Sequence, residues 1–357
     1  MPDFYNLKVA DIYKETEDTS VVTFDIPADL QPVFTFRQGQ HLTLKAHISG
    51  DEIRRSYSLC SSPLDNLWKV AVKQIPEGKF STYVNENLNA GDEIEVMPPS
   101  GTFGVECTTE KAKNYLFFAA GSGITPILSM IKTHLSAEPH STCKLFYVNK
   151  TAKSIIFKET LEQLRNKYFG RLEIYYFLTK ERRDIELFNG RFDDEKMKIL
   201  TKTFIDIPDT SEVFLCGPEQ MVNYVSEYLT NAGLPKELIH FELFVTGLSD
   251  EDIKRAERLA KQNVEGTEVT IVDGGKEFLF TMTKEYDNIL DAALNAGADL
   301  PFACKGGVCS TCKCQVVEGE VEMKINYALE SKELAQNYVL SCQAVPKSEK
   351  VIVNFDV

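Results

Sequence analysis

The 357-residue chain has few histidines, a deficit of positive charge and no long apolar run. Its longest apolar candidate, residues 115–120, falls far short of the ~18 residues that span a bilayer, so we expect no membrane insertion. The first residues do not place a charged segment before an apolar one, which predicts no secretory signal and a cytoplasmic protein. The 39 Lys+Arg against 53 Asp+Glu leave a net charge of -14, which argues against binding to nucleic acid or anionic membranes.

The five histidines lack metal-ligand spacing, so they indicate neither an acid–base pair nor a histidine metal centre. Hydrophobic residues make up 43% of the chain and charged residues 26%, as in an ordinary globular protein. The length predicts two or three domains.

The rhythm of apolar segments changes along the chain and predicts the domains. Short segments separated by turn residues predict an antiparallel β-barrel over 1–108. Alternating strand and helix patterns predict an α/β domain with a parallel sheet over 109–245. A polar, charge-mixed stretch predicts a linker over 246–265. A hairpin about Asp273-Gly274-Gly275, a helix and most of the cysteines then occupy 266–357.

Nine cysteines are an odd number, and five of them fall between Cys304 and Cys342, unlike a disulfide framework. Cys304, Cys309, Cys312 and Cys342 have the C-x4-C-x2-C…C spacing of a plant-type [2Fe-2S] site. The loop glycines at 306–307 would let backbone amides approach the cluster sulfurs. A structural zinc site or buried free thiols are the alternatives, although zinc usually takes paired C-x2-C knuckles.

The remaining cysteines are read as ordinary thiols. Cys314 is expected to be a small buried side chain, because the other four complete the ligand spacing. Three more are expected to be core or surface thiols: Cys60, Cys107 and Cys143.

The segment Arg55-Ser56-Tyr57-Ser58 lies in a predicted barrel strand. Alternation along a strand puts Arg55 and Tyr57 on one face, which offers a guanidinium to a phosphate beside an aromatic plane for a flat ring. Further along, residues 76–83 read as a turn that opens a helix, where amides and hydroxyls can hold a pyrophosphate. An ordinary exposed strand and a capped helix are the alternative for either motif alone.

Residues 115–127 read as a strand, a glycine turn (Gly121-Ser122-Gly123) and a helix with Pro126 near its start. Such a turn exposes amides to a pyrophosphate, whose charge the helix dipole favours. A later strand ends in Cys216-Gly217-Pro218. A merely structural thiol at Cys216 is the alternative to a functional one.

With these motifs in this order, the chain resembles the ferredoxin–NADP reductase family, specifically oxygenase reductases with a C-terminal ferredoxin module of β-grasp fold. The resemblance implies FAD in the barrel, with Arg55 and Gly78, Ser81 and Thr82 at its pyrophosphate, Tyr57 stacked on its ring and Ser58 near N5. It implies a nicotinamide site that includes Gly121, Gly123, Thr125, Cys216, Gly217 and Pro218, with Ser58 and Cys216 at the reacting atoms. The stretch His240–Phe244 is similar to the family segment that approaches the flavin.

The basic residues Lys180 and Arg182 follow a predicted strand where the family's NADPH-selective members keep theirs, which favours NADPH over NADH. A solvated basic face is the alternative. The resemblance implies electron flow from NADPH through FAD and the cluster to an oxygenase partner. Residues 320–330 and 338–343 are most similar to the reductases that serve a di-iron epoxidase.

Three other functions stay open. The partner could be a ketosteroid or other ring hydroxylase, or the chain could be a self-contained flavin reductase in which the iron–sulfur module is ancillary. A redox-sensing binding module would need no nicotinamide site, so the motifs around Gly121 and Cys216 disfavour it. From residue 266 onward, 14 Asp+Glu against 8 Lys give a charge of -6, which suits a basic docking face on the acceptor.

Overall fold

The structure is a computed structural model that describes residues 4–244, 254–255, 258–259 and 266–356. The chain forms two compact units. The larger consists of Tyr5–Ile53 and Tyr57–Phe244, and the smaller holds the described residues beyond 253 together with Phe4 and Arg54–Ser56. Among the described residues, no helix is long and apolar enough to cross a membrane.

The first part of the larger unit is the antiparallel barrel predicted from the sequence. Its sheet order is β4-β3-β6-β1-β2-β5, and an antiparallel bridge between Leu59 and Val70 joins the two ends. Apolar side chains that alternate along the strands fill the interior, with Leu7, Leu42 and Val72 fully buried. The elements are β1 (Tyr5–Thr16), β2 (Thr19–Asp25), β3 (His41–Ile48), β4 (Asp51–Ser58), β5 (Trp68–Lys73), α1 (Lys79–Glu86) and β6 (Glu93–Val96).

The second part of the larger unit is a five-stranded parallel sheet in the order β11-β10-β7-β8-β9. The central strand β7 is almost continuously apolar, as expected for a strand covered on both faces. Because the strands are parallel, their carboxyl ends meet at one edge. The elements are β7 (Asn114–Ala120), α2 (Ile124–Ala137), β8 (Thr142–Asn149), α3 (Lys158–Lys167), β9 (Leu172–Leu178), α4 (Asp194–Thr203), β10 (Glu212–Gly217), α5 (Glu219–Asn231) and β11 (Ile239–Leu243).

The smaller unit contains a mixed sheet in the order β13-β12-β18-β14-β16 and a two-stranded ribbon, β15-β17. The hairpin β12-β13 turns at Gly274 and Gly275, both with positive φ, and Asp356 accepts hydrogen bonds from both amides. The elements are β12 (Thr267–Asp273), β13 (Lys276–Met282), α6 (Ile289–Asn295), β14 (Lys313–Glu318), β15 (Val321–Met323), α7 (Ser331–Leu334), β16 (Tyr338–Leu340), β17 (Ala344–Pro346) and β18 (Lys350–Asn354).

The three kinds of sheet confirm the predicted fold class. Most of the predicted linker, 246–265, lies outside the described residues, so the exact domain boundaries stay predictions.

Candidate functional site

The four cysteines with ferredoxin-type spacing converge in the smaller unit. The thiols of Cys304 and Cys309 lie within hydrogen-bonding distance of each other, and so do those of Cys312 and Cys342. Cys304 is partly exposed and the other three are buried. All four are free thiols, so the loop and Cys342 together provide two sulfur pairs available for metal.

Backbone amides surround the first of these pairs. The amide of Gly306 donates to Cys304 Sγ at 3.3 Å, and the amides of Val308 and Cys309 also face this sulfur. The hydrogen bond from Cys309 and then these amides lower the pKa of Cys304 to about 6, against the effect of burial. The loop therefore favours the thiolate, which is the form that binds metal.

The backbone around the cysteines adopts the left-handed region at Lys305, Gly307 and Ser310. Gly307, at φ +77°, is also tightly enclosed, because a Cβ there would meet the Ile325 carbonyl oxygen at 3.2 Å. Gly306 does not have a positive φ, so it contributes its amide rather than an unusual conformation. Cys314 lies fully buried in the adjacent hydrophobic core.

The paired arrangement fits a two-iron cluster, in which each iron takes two thiolates. A single tetrahedral zinc ion would instead draw all four sulfurs together. The four sulfurs are not that close together. Within the described part of the chain, only the ligand atoms of Cys107, His134 and Glu138 form a group of three or more in which all atoms lie within 4.8 Å of one another. The donor set is thus that of a [2Fe-2S] centre.

The flavin motif lies on β4, a strand of the barrel sheet. Arg55 is exposed, Tyr57 is half-buried and Ser58 is buried. The ring of Tyr57 packs on Phe80 of α1, with centroids 5.9 Å apart. This contact brings the two predicted flavin motifs together, although they lie about twenty residues apart in the chain.

Gly78 is the N-cap of α1. The hydroxyl of Ser81 donates to the Gly78 carbonyl and accepts from the Ile75 amide, each at 3.1 Å. Ser81 thereby holds the loop that precedes the helix, and a Cβ on Gly78 would come within 2.6 Å of its hydroxyl. The first-turn amides of α1 have no partner within the helix and are free to meet a phosphate. The loop fits the pyrophosphate of FAD.

The glycine turn that precedes α2 lies against the end of β10. A Cβ on Gly123 would lie 2.2 Å from the carbonyl oxygen of Cys216, so this approach requires glycine. Gly121 has φ +54° with open space around it, and its carbonyl accepts a 2.8 Å hydrogen bond from the buried Tyr147 hydroxyl. Thr125 is buried and donates to the Ser122 carbonyl at 3.0 Å. The turn is positioned for a dinucleotide at the carboxyl edge of the sheet.

Glu242 belongs to the stretch His240–Phe244, which the resemblance brings towards the flavin without a role for this particular residue. Its carboxylate accepts a hydrogen bond from the Ser58 hydroxyl at 3.3 Å. Burial raises the pKa of Glu242 to about 7, while the Ser58 hydrogen bond acts in the opposite direction. Cys216 is fully buried, and burial together with the charge of Glu242 raises the pKa of its thiol. Ser58, Glu242 and Cys216 thus connect the barrel to two strands of the parallel sheet.

Lys180 and Arg182 follow the end of β9 and are exposed. The Lys180 amide pairs with the Lys150 carbonyl at 2.8 Å, which continues the contact between the ends of β8 and β9. Arg182 lies 3.9 Å from Glu186 in an ion pair that is more than four-fifths exposed. Their ammonium and guanidinium groups are therefore exposed to solvent at the carboxyl edge of the sheet.

A flavin barrel, a dinucleotide-binding sheet and a ferredoxin-type cysteine loop define a flavin- and iron–sulfur-containing reductase. Family models match each part. The oxidoreductase FAD-binding domain matches residues 6–104, the oxidoreductase NAD-binding domain matches 117–227 and the 2Fe-2S iron–sulfur cluster binding domain matches 271–347.

Relatives match the whole chain. A component of 1,2-phenylacetyl-CoA epoxidase from Escherichia coli is 44% identical, over 100% of this chain and 99% of the relative. The ferredoxin reductase component of 3-ketosteroid-9-alpha-monooxygenase from Rhodococcus rhodochrous is 32% identical, over 98% of this chain and 96% of the relative. The solved structure of phthalate dioxygenase reductase, described as modular, shares the fold with a TM-score of 0.60 and 24% identity, over 99% and 98% of the two chains.

The chain belongs to the ferredoxin–NADP reductase family, among the oxygenase reductases with a C-terminal [2Fe-2S] domain. It is an NAD(P)H-dependent oxidoreductase that uses FAD and a [2Fe-2S] cluster.

Proposed function

We propose that this chain is the reductase component of an epoxidase that acts on phenylacetyl-CoA and that it draws its electrons from NADPH in the cytoplasm. The observation that carries the proposal is the presence of two cysteine pairs with ferredoxin-type spacing. The same chain also contains the flavin and nucleotide elements. The full-length similarity to the Escherichia coli epoxidase component supports the choice of oxygenase. Nine free cysteines support a reducing compartment.

The residues of the barrel and of the parallel sheet have distinct parts in this proposal. Arg55 and the first turn of α1 hold the pyrophosphate of FAD, and Tyr57 packs along its ring. Gly121, Gly123 and Thr125 hold the nicotinamide cofactor, with Gly217 and Pro218 beside them. Ser58 and Cys216 would lie at the reacting atoms, where the Ser58 hydroxyl donates to the Glu242 carboxylate.

When bound, FAD supplies the exchange between two-electron and one-electron chemistry, and the cluster held by Cys304, Cys309, Cys312 and Cys342 supplies a one-electron carrier. The protein's own contribution is to bind, orient and enclose these groups. The acidic surplus beyond residue 266 favours an acceptor with a basic docking face.

The preference for NADPH rests on Lys180 and Arg182. Both side chains are exposed just beyond β9, at the edge of the sheet where the adenosine half of a dinucleotide binds. A 2'-phosphate attracts such cations, whereas the free ribose hydroxyl of NADH does not.

The test is reconstitution with the oxygenase components of phenylacetyl-CoA epoxidase, phenylacetyl-CoA and NADPH. We expect epoxide formation coupled to NADPH consumption. Cys309→Ser should abolish the coupling, whereas Cys314→Ser, a matched change at a buried thiol outside the ligand set, should preserve it. Full NADPH consumption without any epoxide from phenylacetyl-CoA would contradict the choice of oxygenase.

A second candidate partner is a ketosteroid monooxygenase, which the 32% identity to the Rhodococcus rhodochrous component favours. The same assay with the ketosteroid oxygenase and its steroid separates the two, because the true partner should show the higher coupled rate. A self-contained flavin reductase would keep full turnover of a one-electron acceptor such as cytochrome c in the Cys309→Ser variant.

A further inference from the structure

A buried group of potential metal ligands lies in the larger unit, outside the flavin and nucleotide elements. Cys107 follows the barrel, and His134 and Glu138 lie one turn apart at the end of α2. The Cys107 sulfur is 3.5 Å from His134 Nδ1, which is 3.1 Å from Glu138 Oε1. All three donor atoms lie within 4.8 Å of one another.

These distances match a tetrahedral zinc site. Bonds of about 2.3 Å to sulfur and about 2.0–2.1 Å to nitrogen put those two atoms about 3.5 Å apart around a tetrahedral ion. Nitrogen and oxygen ligands come about 3.3 Å apart by the same geometry. The set Cys, His and Glu combines three of the ligand types that zinc prefers, and it leaves a fourth position for water.

The environment of Glu138 also favours a cation. The carboxyl group is buried, and its Oε1 atom lies against the Nδ1 atom of His134. One oxygen, Oε1, accepts from the Tyr115 hydroxyl and the Thr108 amide, both at 2.9 Å. The other, Oε2, is buried and has no hydrogen-bond partner among the described residues.

The surrounding contacts preorganise the group. The ring of Tyr115 stacks on His134 with centroids 4.3 Å apart, and His134 is itself fully buried. Gln38 of the barrel has its side-chain nitrogen 3.8 Å from the Cys107 sulfur. Cys107 is half-buried, so an ion can reach the group from solvent on that side.

We propose that Cys107, His134 and Glu138 form a zinc site that fastens the end of the flavin barrel to helix α2. The thiolate and the carboxylate together balance the charge of the ion. Binding replaces the thiol proton of Cys107, which leaves to solvent, and it requires the His134 tautomer that carries its proton on Nε2, a buried atom with no hydrogen-bond partner among the described residues. The site performs no redox step, and it is independent of the proposed function.

The test uses the full-length holoprotein with FAD and the iron–sulfur cluster in place. The protein is exposed to a zinc salt, desalted and analysed for metal content and by X-ray absorption at the zinc edge. We expect one zinc per chain, with one sulfur and three nitrogen or oxygen neighbours. A shell of four sulfurs would place zinc at the cluster cysteines and overturn the proposal, and so would the absence of retained zinc.

Two variants locate the ion without relying on activity. Cys107→Ser and Glu138→Gln should each lose the retained zinc while FAD and iron content stay at wild-type levels. His140→Gln, a change at an exposed histidine just beyond α2, should retain it. If either ligand variant folds with its cofactors and still retains one zinc per chain, the assignment is wrong. Calorimetry in buffers of different ionisation enthalpy should report about one proton released per zinc.

Discussion

The Glu242 carboxylate lies 3.3 Å from the Ser58 hydroxyl, although 184 positions separate the two residues in the chain. The contact joins the flavin strand of the barrel to the last strand of the parallel sheet. Because burial holds the pKa of Glu242 near 7, this carboxyl group can gain or lose a proton close to neutral pH. The pair therefore links the ionisation of a partly buried carboxyl group to the packing of the barrel against the sheet.

Glu242→Gln should make the protein's thermal stability less dependent on pH. The folded protein keeps the Glu242 proton up to about pH 7, whereas the unfolded chain loses it near the ordinary pKa of 4.5. Rising pH between these values therefore favours unfolding, by at most about 3–4 kcal/mol once pH exceeds 7. The variant should raise the unfolding midpoint more at pH 8 than at pH 5.

The matched control for this prediction is Glu237→Gln, which removes an exposed carboxylate. It should leave the pH dependence of the midpoint unchanged. Equal gains for Glu242→Gln at pH 5 and pH 8 would show that Glu242 does not titrate near neutrality.

Ser58→Ala should raise the pKa of Glu242 further, because the Ser58 hydroxyl donates to the ionised carboxylate and so favours that form. Infrared difference spectra across a pH titration measure the carboxyl band directly. The variant should hold its protonated band to a higher pH than wild type does. A midpoint that moves to lower pH would mean that the hydrogen bond favours the protonated form instead.

Gly123→Ala should abolish nucleotide binding, whereas Gly121→Ala should weaken it only modestly. A Cβ at Gly123 would lie 2.2 Å from a backbone oxygen of β10, and that strand cannot withdraw. A Cβ at Gly121 meets nothing within 4 Å and incurs only the left-handed backbone strain, on the order of 1–2 kcal/mol. Titration with NADP⁺, followed by flavin absorbance, compares the two variants, and equal loss in both would contradict this account of the turn.

Tyr147→Phe should raise the KM for the nicotinamide cofactor about two- to thirteenfold, the effect of losing one hydrogen bond of roughly 0.5–1.5 kcal/mol. Its hydroxyl supports the Gly121 carbonyl at 2.8 Å, so kcat and FAD content should be unchanged. Tyr176→Phe is the control, because that hydroxyl bonds Glu162 instead. An unchanged KM in Tyr147→Phe would show that the hydroxyl does not contribute to cofactor binding by the turn.

Charge reversal at Lys180 and Arg182 should lower kcat/KM for NADPH by at least tenfold and change that for NADH little, since one charge-assisted hydrogen bond contributes about 1.5–3 kcal/mol. Lys202→Glu, a change at an exposed lysine of α4, tests the general effect of added negative charge. An unchanged NADPH:NADH ratio of kcat/KM in the double variant would show that these two residues do not determine the choice of cofactor.

Patterns that are local in sequence predicted much of the structure. Short apolar segments separated by turn residues predicted the antiparallel barrel, because strands of this length need a turn between each antiparallel pair. The cysteine spacing predicted that four cysteines come together, since three of the four share one loop, but it did not predict how they pair.

Contacts between distant segments could not be predicted in the same way. The resemblance brought the stretch around Glu242 towards the flavin but did not identify Ser58 as its hydrogen-bond partner. The role of Tyr147 depends on the register of β7 against β8. Cys107 lies 27 positions from His134, so no spacing rule marks the proposed zinc ligands. Such relationships become visible only when parallel strands and the barrel bring separate segments together.

The central claim is that electrons from NADPH leave this chain through its iron–sulfur cluster. Anaerobic addition of NADPH to the holoprotein, followed by visible absorption and electron paramagnetic resonance, tests it most directly. We predict that the flavin bands bleach and that the signal of a reduced [2Fe-2S] cluster develops, and that Cys309→Ser loses this signal together with cytochrome c reduction. A flavin that bleaches beside a cluster that stays oxidised, with cytochrome c still reduced at the full rate, would contradict the account.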